Sequence, residues 1–284
     1  MIFAFLPTTL LFFVAMFFFG AAVALLLMNS LAGTLLGLSA MIASLAAEMI
    51  AIKGSHALYV ASMSQLPLGF DKWYKRQQGI AARSFGMKRM YVISNIVSGC
   101  AAYERTEEAL EALETLRVKA EKSSSPLLQY IYYSGVLAVR EKMHDLSSAD
   151  YLLSRMYDAL NSPKFPAGNF RASYVSGFEY SRAQIEFYKR TPQQLTEDKS
   201  VVRQLITTAE INAAAGNPTS QRVAYRTLSS YYNIGLCYEI LGEHDKATQY
   251  FDRIAASGCL YPLTDRVKRY LLSNDISILF STMP

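Results

Sequence analysis

The chain has 284 residues, of which 51% are apolar and only 18% charged, with a formal net charge of +5. Soluble domains carry roughly 25% charged residues, and the shortfall here is local: the first charged side chain is Glu48 and the next is Lys53. That opening excludes a purely soluble fold, while 15 Gly, 9 Pro and 3 Cys exclude the collagen-like and disulfide-rich classes.

At about 1.5 Å per residue, residues 8–28 cover about 30 Å, the thickness of a bilayer core. The polar pair Asn29 and Ser30 follows, and then a second apolar run, 31–52, again long enough to cross. Two runs joined by so short a turn predict a transmembrane helical hairpin with both termini on one side. One long helix, or a second run lying in the interface, are the alternatives. The small residues at 20–24 resemble a cleavage site, but no Lys or Arg precedes the apolar run as a signal peptide requires. Within 31–52, Gly33 and Gly37 form a G-x-x-x-G that lets helix backbones approach in lipid, either against the first run or in a homodimer. Glu48 reads as a boundary residue at the end of the second run.

Residues 53–90 form a basic juxtamembrane segment, with Lys53, Lys72, Lys75, Arg76, Arg83, Lys88 and Arg89 against Asp71 alone. Basic residues flanking a span remain cytoplasmic, so the sequence predicts a two-span protein of the cell membrane with both termini in the cytoplasm. The remainder, 91–284, carries 21 basic and 21 acidic residues. Because the excess lies outside the folded part, nucleic acid is not the expected partner. In Lys72-Trp73-Tyr74-Lys75-Arg76 the only Trp stands between cations, the pattern of a segment lying on anionic headgroups. A solvated connecting loop is the alternative. Cys100, Cys237 and Cys259 have no paired spacing and suit reduced thiols.

From residue 91 onward apolar residues recur at helical spacing. Ile93, Ile96, Val97 and Cys100 form one stripe and Ala109, Leu113 and Leu116 a second, giving a helix pair over 91–122. A second pair covers 126–160, turning near Met143-His144-Asp145, with Ala149 and Leu153 on its second helix. A third covers about 171–215, joining Tyr174, Phe178 and Ile185 to a helix starting near Gln194. Breaks fall at 161–169 and at Gly216-Asn217-Pro218, and residues 263–280 read as one closing amphipathic helix.

Residues 231–251 carry the strongest pattern. Tyr231, Ile234-Gly235, Tyr238, Gly242, Ala247 and Phe251 stand at the spacing of a two-helix unit. Gly235 and Ala247 are small where the helices would cross, and Gly242 can end the first helix at positive φ. This stretch, within 228–257, resembles a tetratricopeptide repeat, with Ile254 where the family favours Ala. The resemblance implies an all-α protein in which the transmembrane hairpin precedes a tetratricopeptide-like α-solenoid with a C-terminal capping helix. It implies a groove for a protein or peptide partner, in which Asn233 is the family's lining position and Arg226 a neighbour. It also implies a scaffold, not an enzyme. The 17 Tyr after residue 90 lie on helix stripes and read as packing.

No Gly-rich phosphate loop, H-E-x-x-H or paired C-x-x-C occurs, and His56, His144 and His244 stand apart. The expectation is therefore no cofactor, no metal and no catalysis. The expected function is a membrane-anchored scaffold that recruits a protein at the cytoplasmic face. The alternative is an auxiliary or regulatory subunit of a transporter or channel, assembled through the hairpin.

Overall fold

A computed structural model describes residues 66–214 and 225–280, together with 19–21, 23, 39 and 42. Most of the expected hairpin, including Gly33 and Gly37, lies outside the described residues. Among those described, no helix is long and apolar enough to cross a membrane. The chain divides into two compact units, Met1–Met63 and Ser64–Pro284. All regular structure described in the second unit is helical.

A 3-10 turn, Leu66–Leu68, leads into α1 (Phe70–Ala82). Then come α2 (Gly86–Ala102), α3 (Thr106–Lys122), α4 (Pro126–Lys142), α5 (Ala149–Asn161), α6 (Asn169–Tyr188), α7 (Pro192–Glu197) and α8 (Lys199–Ala214). The last four are α9 (Tyr225–Leu241), α10 (His244–Ala255), α11 (Pro262–Ser273) and α12 (Ser277–Phe280). Consecutive helices with short links pack on each other: α2 on α3, α4 on α5, α9 on α10, and α8 between α6 and α9. Helix α4 also packs on α2, so the hairpins stack.

Three of the hairpin turns are the same turn. Glu104, His144 and Gly242 have φ of 58°, 57° and 76°, each just beyond the end of α2, α4 or α9. In each case the next residue's N–H donates to a carbonyl five residues back: Arg105 to Cys100 (2.8 Å), Asp145 to Arg140 (2.9 Å) and Glu243 to Tyr238 (2.9 Å). This is the left-handed helix ending that satisfies carbonyls the last turn leaves free. Counted from that residue, the same steps forward reach Ala109, Ala149 and Ala247, then Leu113, Leu153 and Phe251, then Leu116, Met156 and Ile254. All nine are buried. The small first member lets the two axes approach, and the larger ones fill the space beyond the crossing. The link within the third pair differs: Thr191 and Gln194 form a capping box on α7, and Asp198 separates α7 from α8. The single second helix expected from Gln194 is therefore two helices. The closing helix expected over 263–280 is likewise two, α11 and α12, parted at Asn274 with φ 54°.

The folded unit begins well before residue 91. Helix α1 has Phe70, Trp73, Gln77 and Ala81 buried on one face, and it packs on α2. Trp73 is fully buried, with Phe70 beside it (5.9 Å between centroids). Its ring occupies the space where a Cβ of Gly99 would stand. The expectation that Trp73 sits among headgroups is corrected: α1 is amphipathic, and Trp73 lies on its buried face with Phe70, Gln77 and Ala81. Lys72 and Lys75 are exposed, Arg76 is half-buried, and Tyr74 stacks on Phe70 at 5.1 Å.

An aromatic row joins the first and last elements of the unit. Phe70 meets Tyr103 (5.4 Å), Tyr103 meets Tyr261 (5.0 Å), and Tyr261 meets Tyr225 (5.0 Å). Tyr103 Oη donates to the Leu66 carbonyl (2.6 Å), and Arg266 of α11 donates to Glu104 (2.9 Å). An open solenoid contacts only its neighbours; here the first hairpin turn touches the last helices.

Candidate functional site

The residues of the repeat-like pattern fall in one place, but with different duties from those the spacing suggests. A Cβ on Gly235 would lie 2.6 Å from Phe251 Cε1 and 2.8 Å from its Cζ, so this glycine admits the Phe251 ring. Ala247 and Phe251 are fully buried, and Gly242 makes the turn. Tyr231 and Tyr238, the aromatic positions of the pattern, are half-buried against Tyr250 (5.7 and 6.0 Å), with Arg253 and Lys246 over their rings. Tyr232 and Tyr270 fill the space around Phe251, at 6.3 and 5.1 Å.

Asn233 does not line an open groove. It is 1% exposed and both halves of its amide are engaged. Its Nδ2 donates to Tyr180 Oη (2.6 Å), and its Oδ1 accepts from Tyr188 Oη (3.0 Å). Tyr188 is linked in turn to Gln184 Nε2 (3.2 Å), which donates to Glu141 (3.1 Å). Nearby, Asn212 donates to Ser230 Oγ (2.9 Å) and accepts from Arg226 Nε (2.5 Å). A polar network thus runs through α4, α6, α8 and α9. Burial pushes the Tyr180 phenol up to about 12 and raises the Tyr188 phenol well above its ordinary value, so both remain neutral hydroxyls.

The network meets solvent at Lys142, Tyr225 and Arg226, all half-buried. Burial acts to lower the Lys142 amine, but Tyr225, Glu141 and Glu104 outweigh it and hold the amine above its ordinary value. Burial raises the Glu141 carboxyl, opposed by Lys142. Arg226, the other expected groove residue, leaves Nη2 buried without a hydrogen-bond partner, and burial pulls its guanidinium below the usual arginine value. Tyr180, Tyr188, Gln184, Glu141 and Lys142 were invisible to the sequence reading, because they come together from helices far apart in the chain.

Among the described residues, no cluster of His, Cys, Asp and Glu is arranged to hold a metal ion. All three cysteines are buried as thiols, and burial pushes Cys100 up to about 12, away from the reactive thiolate.

A second region is open. A depression of about 450 Å³ lies between the α1–α2 turn and the end of α3, lined by Phe85, Met87, Arg89, Lys119, Lys122 and Leu128, among others. Phe85 is 70% exposed and Met87 37%. Neither Arg89, Lys119 nor Lys122 forms an ion pair among the described residues. Comparison with protein-family models, with curated proteins and with solved structures finds no match to this chain.

Proposed function

We propose that residues 66–280 are a tetratricopeptide-like scaffold, held at the cytoplasmic face of a cell membrane by the apolar segment 1–52, and that this scaffold recruits a protein partner. The observation that carries the reading is the recurring hairpin. Three left-handed turns are each followed at equal steps by a buried small residue and two larger ones. That is how stacked helix pairs build one continuous core. With Asn233 sealed, partner contact falls to the half-buried rim of Lys142, Tyr225 and Arg226. The scaffold needs no cofactor and performs no chemistry. Anchoring raises the effective concentration of a membrane-bound partner without any new contact.

Affinity capture with the full-length chain in detergent tests this, comparing wild type, Arg226→Gln and the pair Gly33→Leu/Gly37→Leu. The expected result is one partner recovered with wild type and with the glycine pair, and lost about 10–100-fold with Arg226→Gln, the weight of one charge-assisted contact. The opposite pattern would assign the chain to a transporter or channel as a subunit assembled through its apolar segment. Release from membranes by alkaline carbonate would remove the anchor.

A further inference from the structure

We infer that the depression at the α1–α2 turn is a docking face for an anionic bilayer surface, with Phe85 and Met87 entering the interface and Arg89, Lys119 and Lys122 reaching lipid phosphates. The bilayer as occupant rests on the anchored reading above; the chemistry of the face stands on the following observations.

Phe85 occupies the position before the first turn of α2, where Ser, Thr, Asp or Asn would cap the helix, and no side chain caps it. A large apolar ring, 70% exposed, stands there instead. Met87 is exposed two residues on, and buried Met90 and Leu128 continue the apolar lining. The charges are as poorly explained by stability. Lys119 and Lys122 sit in the last turn of α3, where cations suit the helix dipole. Lys88 and Arg89, however, lie in the first turn of α2, where the dipole disfavours them, and that turn has no acidic residue. Exposed apolar side chains on the rim of the depression, beside cations that form no ion pair among the described residues, are complementary to a negatively charged interface, which takes apolar groups at the acyl boundary and cations at the phosphates. Two of the three cations lining the depression are Lys, a residue depleted from protein–protein interfaces and suited, on its flexible stem, to headgroups. Phe85, Met87 and Arg89 also lie within the basic segment 53–90 that follows the apolar segment in sequence.

The test uses the full-length chain with Phe85→Trp, mixed with vesicles containing brominated lipid, which quenches only a tryptophan in contact with it. The one native Trp, Trp73, is buried and supplies the unquenched background. With about 30 mol% phosphatidylserine the Phe85→Trp emission should fall at least about two-fold, and with phosphatidylcholine alone it should not. Adding Arg89→Gln, Lys119→Gln and Lys122→Gln should weaken docking on the order of 100-fold and restore the emission. All three side chains are exposed and unpaired, so folding is expected to persist.

Absence of quenching in anionic vesicles overturns the inference, as does equal quenching in neutral ones. Relief by inorganic phosphate at constant ionic strength would reassign the face to a free anion. An unquenched Phe85→Trp, together with loss of a captured protein in the triple variant, would reassign it to an acidic protein. Carbonate extraction scores the anchor separately: quenching in a chain that carbonate releases would keep the docking face and discard the anchor.

Discussion

Asn233 holds two tyrosine hydroxyls that are themselves buried, so Asn233→Ala strands both. The expected cost is about 2–3 kcal/mol, a fall of roughly 4–10 °C in Tm by calorimetry, whereas a groove residue in contact with nothing would leave Tm unchanged. Gly235→Ala drives a methyl into the fully buried Phe251 ring and should cost about 1–3 kcal/mol, read by the same melt. Trp73 emission should be that of a buried indole and indifferent to vesicles of any charge. At this scale the small residues were readable in the sequence, because a helix crossing selects for size at a fixed spacing. The roles of Asn233 and Trp73 were not. Each depends on what stands opposite, two tyrosines of α6 in one case and Gly99 in the other, and local sequence carries no record of that.

Helix existence followed from periodicity; the turns did not. Gly242 announces a left-handed ending, but Glu104 and His144 adopt the same backbone in residues that ordinarily avoid it. The exposed His144 is the clean test, since Glu104 also pairs with Arg266. His144→Gly should stabilise by about 1 kcal/mol, raising Tm by roughly 2–4 °C, and Gly242→His should lower it by a similar amount. Three links rely on a second device: the carboxylates of Asp145, Asp198 and Asp275 each accept the backbone N–H two residues on. Hydrogen bonds from Ser147, Ser200 and Ser277 hold these carboxyls below their ordinary value. A depressed folded-state pKa gives stability that is present above the unfolded value, near 3.9, and is lost as pH falls through the folded one. Asp198→Asn should therefore flatten the acid side of a Tm-against-pH curve. Glu141 works in the opposite sense: its raised carboxyl favours the folded state when protonated and gives that up as pH rises through the folded value.

For the unit as a whole, a sequence reading of successive hairpins leads to an open array, and the contact of Arg266 with Glu104 departs from it. Nothing in a local pattern foretells a pair separated by 162 residues. The Arg266 side chain is only 8% exposed, so Glu104→Ala leaves a buried guanidinium without its counter-charge. The expected cost is about 2–3 kcal/mol, well beyond the ~0–1 kcal/mol of an exposed ion pair. Loss of Trp73 emission and loss of helical circular dichroism should then shift together on heating; in an array of independent neighbours they would separate. The same contact bears on how the protein is made. At a synthesis rate of about 5–20 residues per second, Arg266 leaves the ribosome about 8–30 s after Glu104. Throughout that interval Tyr103 and Phe70 lack the Tyr261 ring that covers their row, so the nascent chain displays an aromatic patch to any chaperone able to hold it until its last helices arrive.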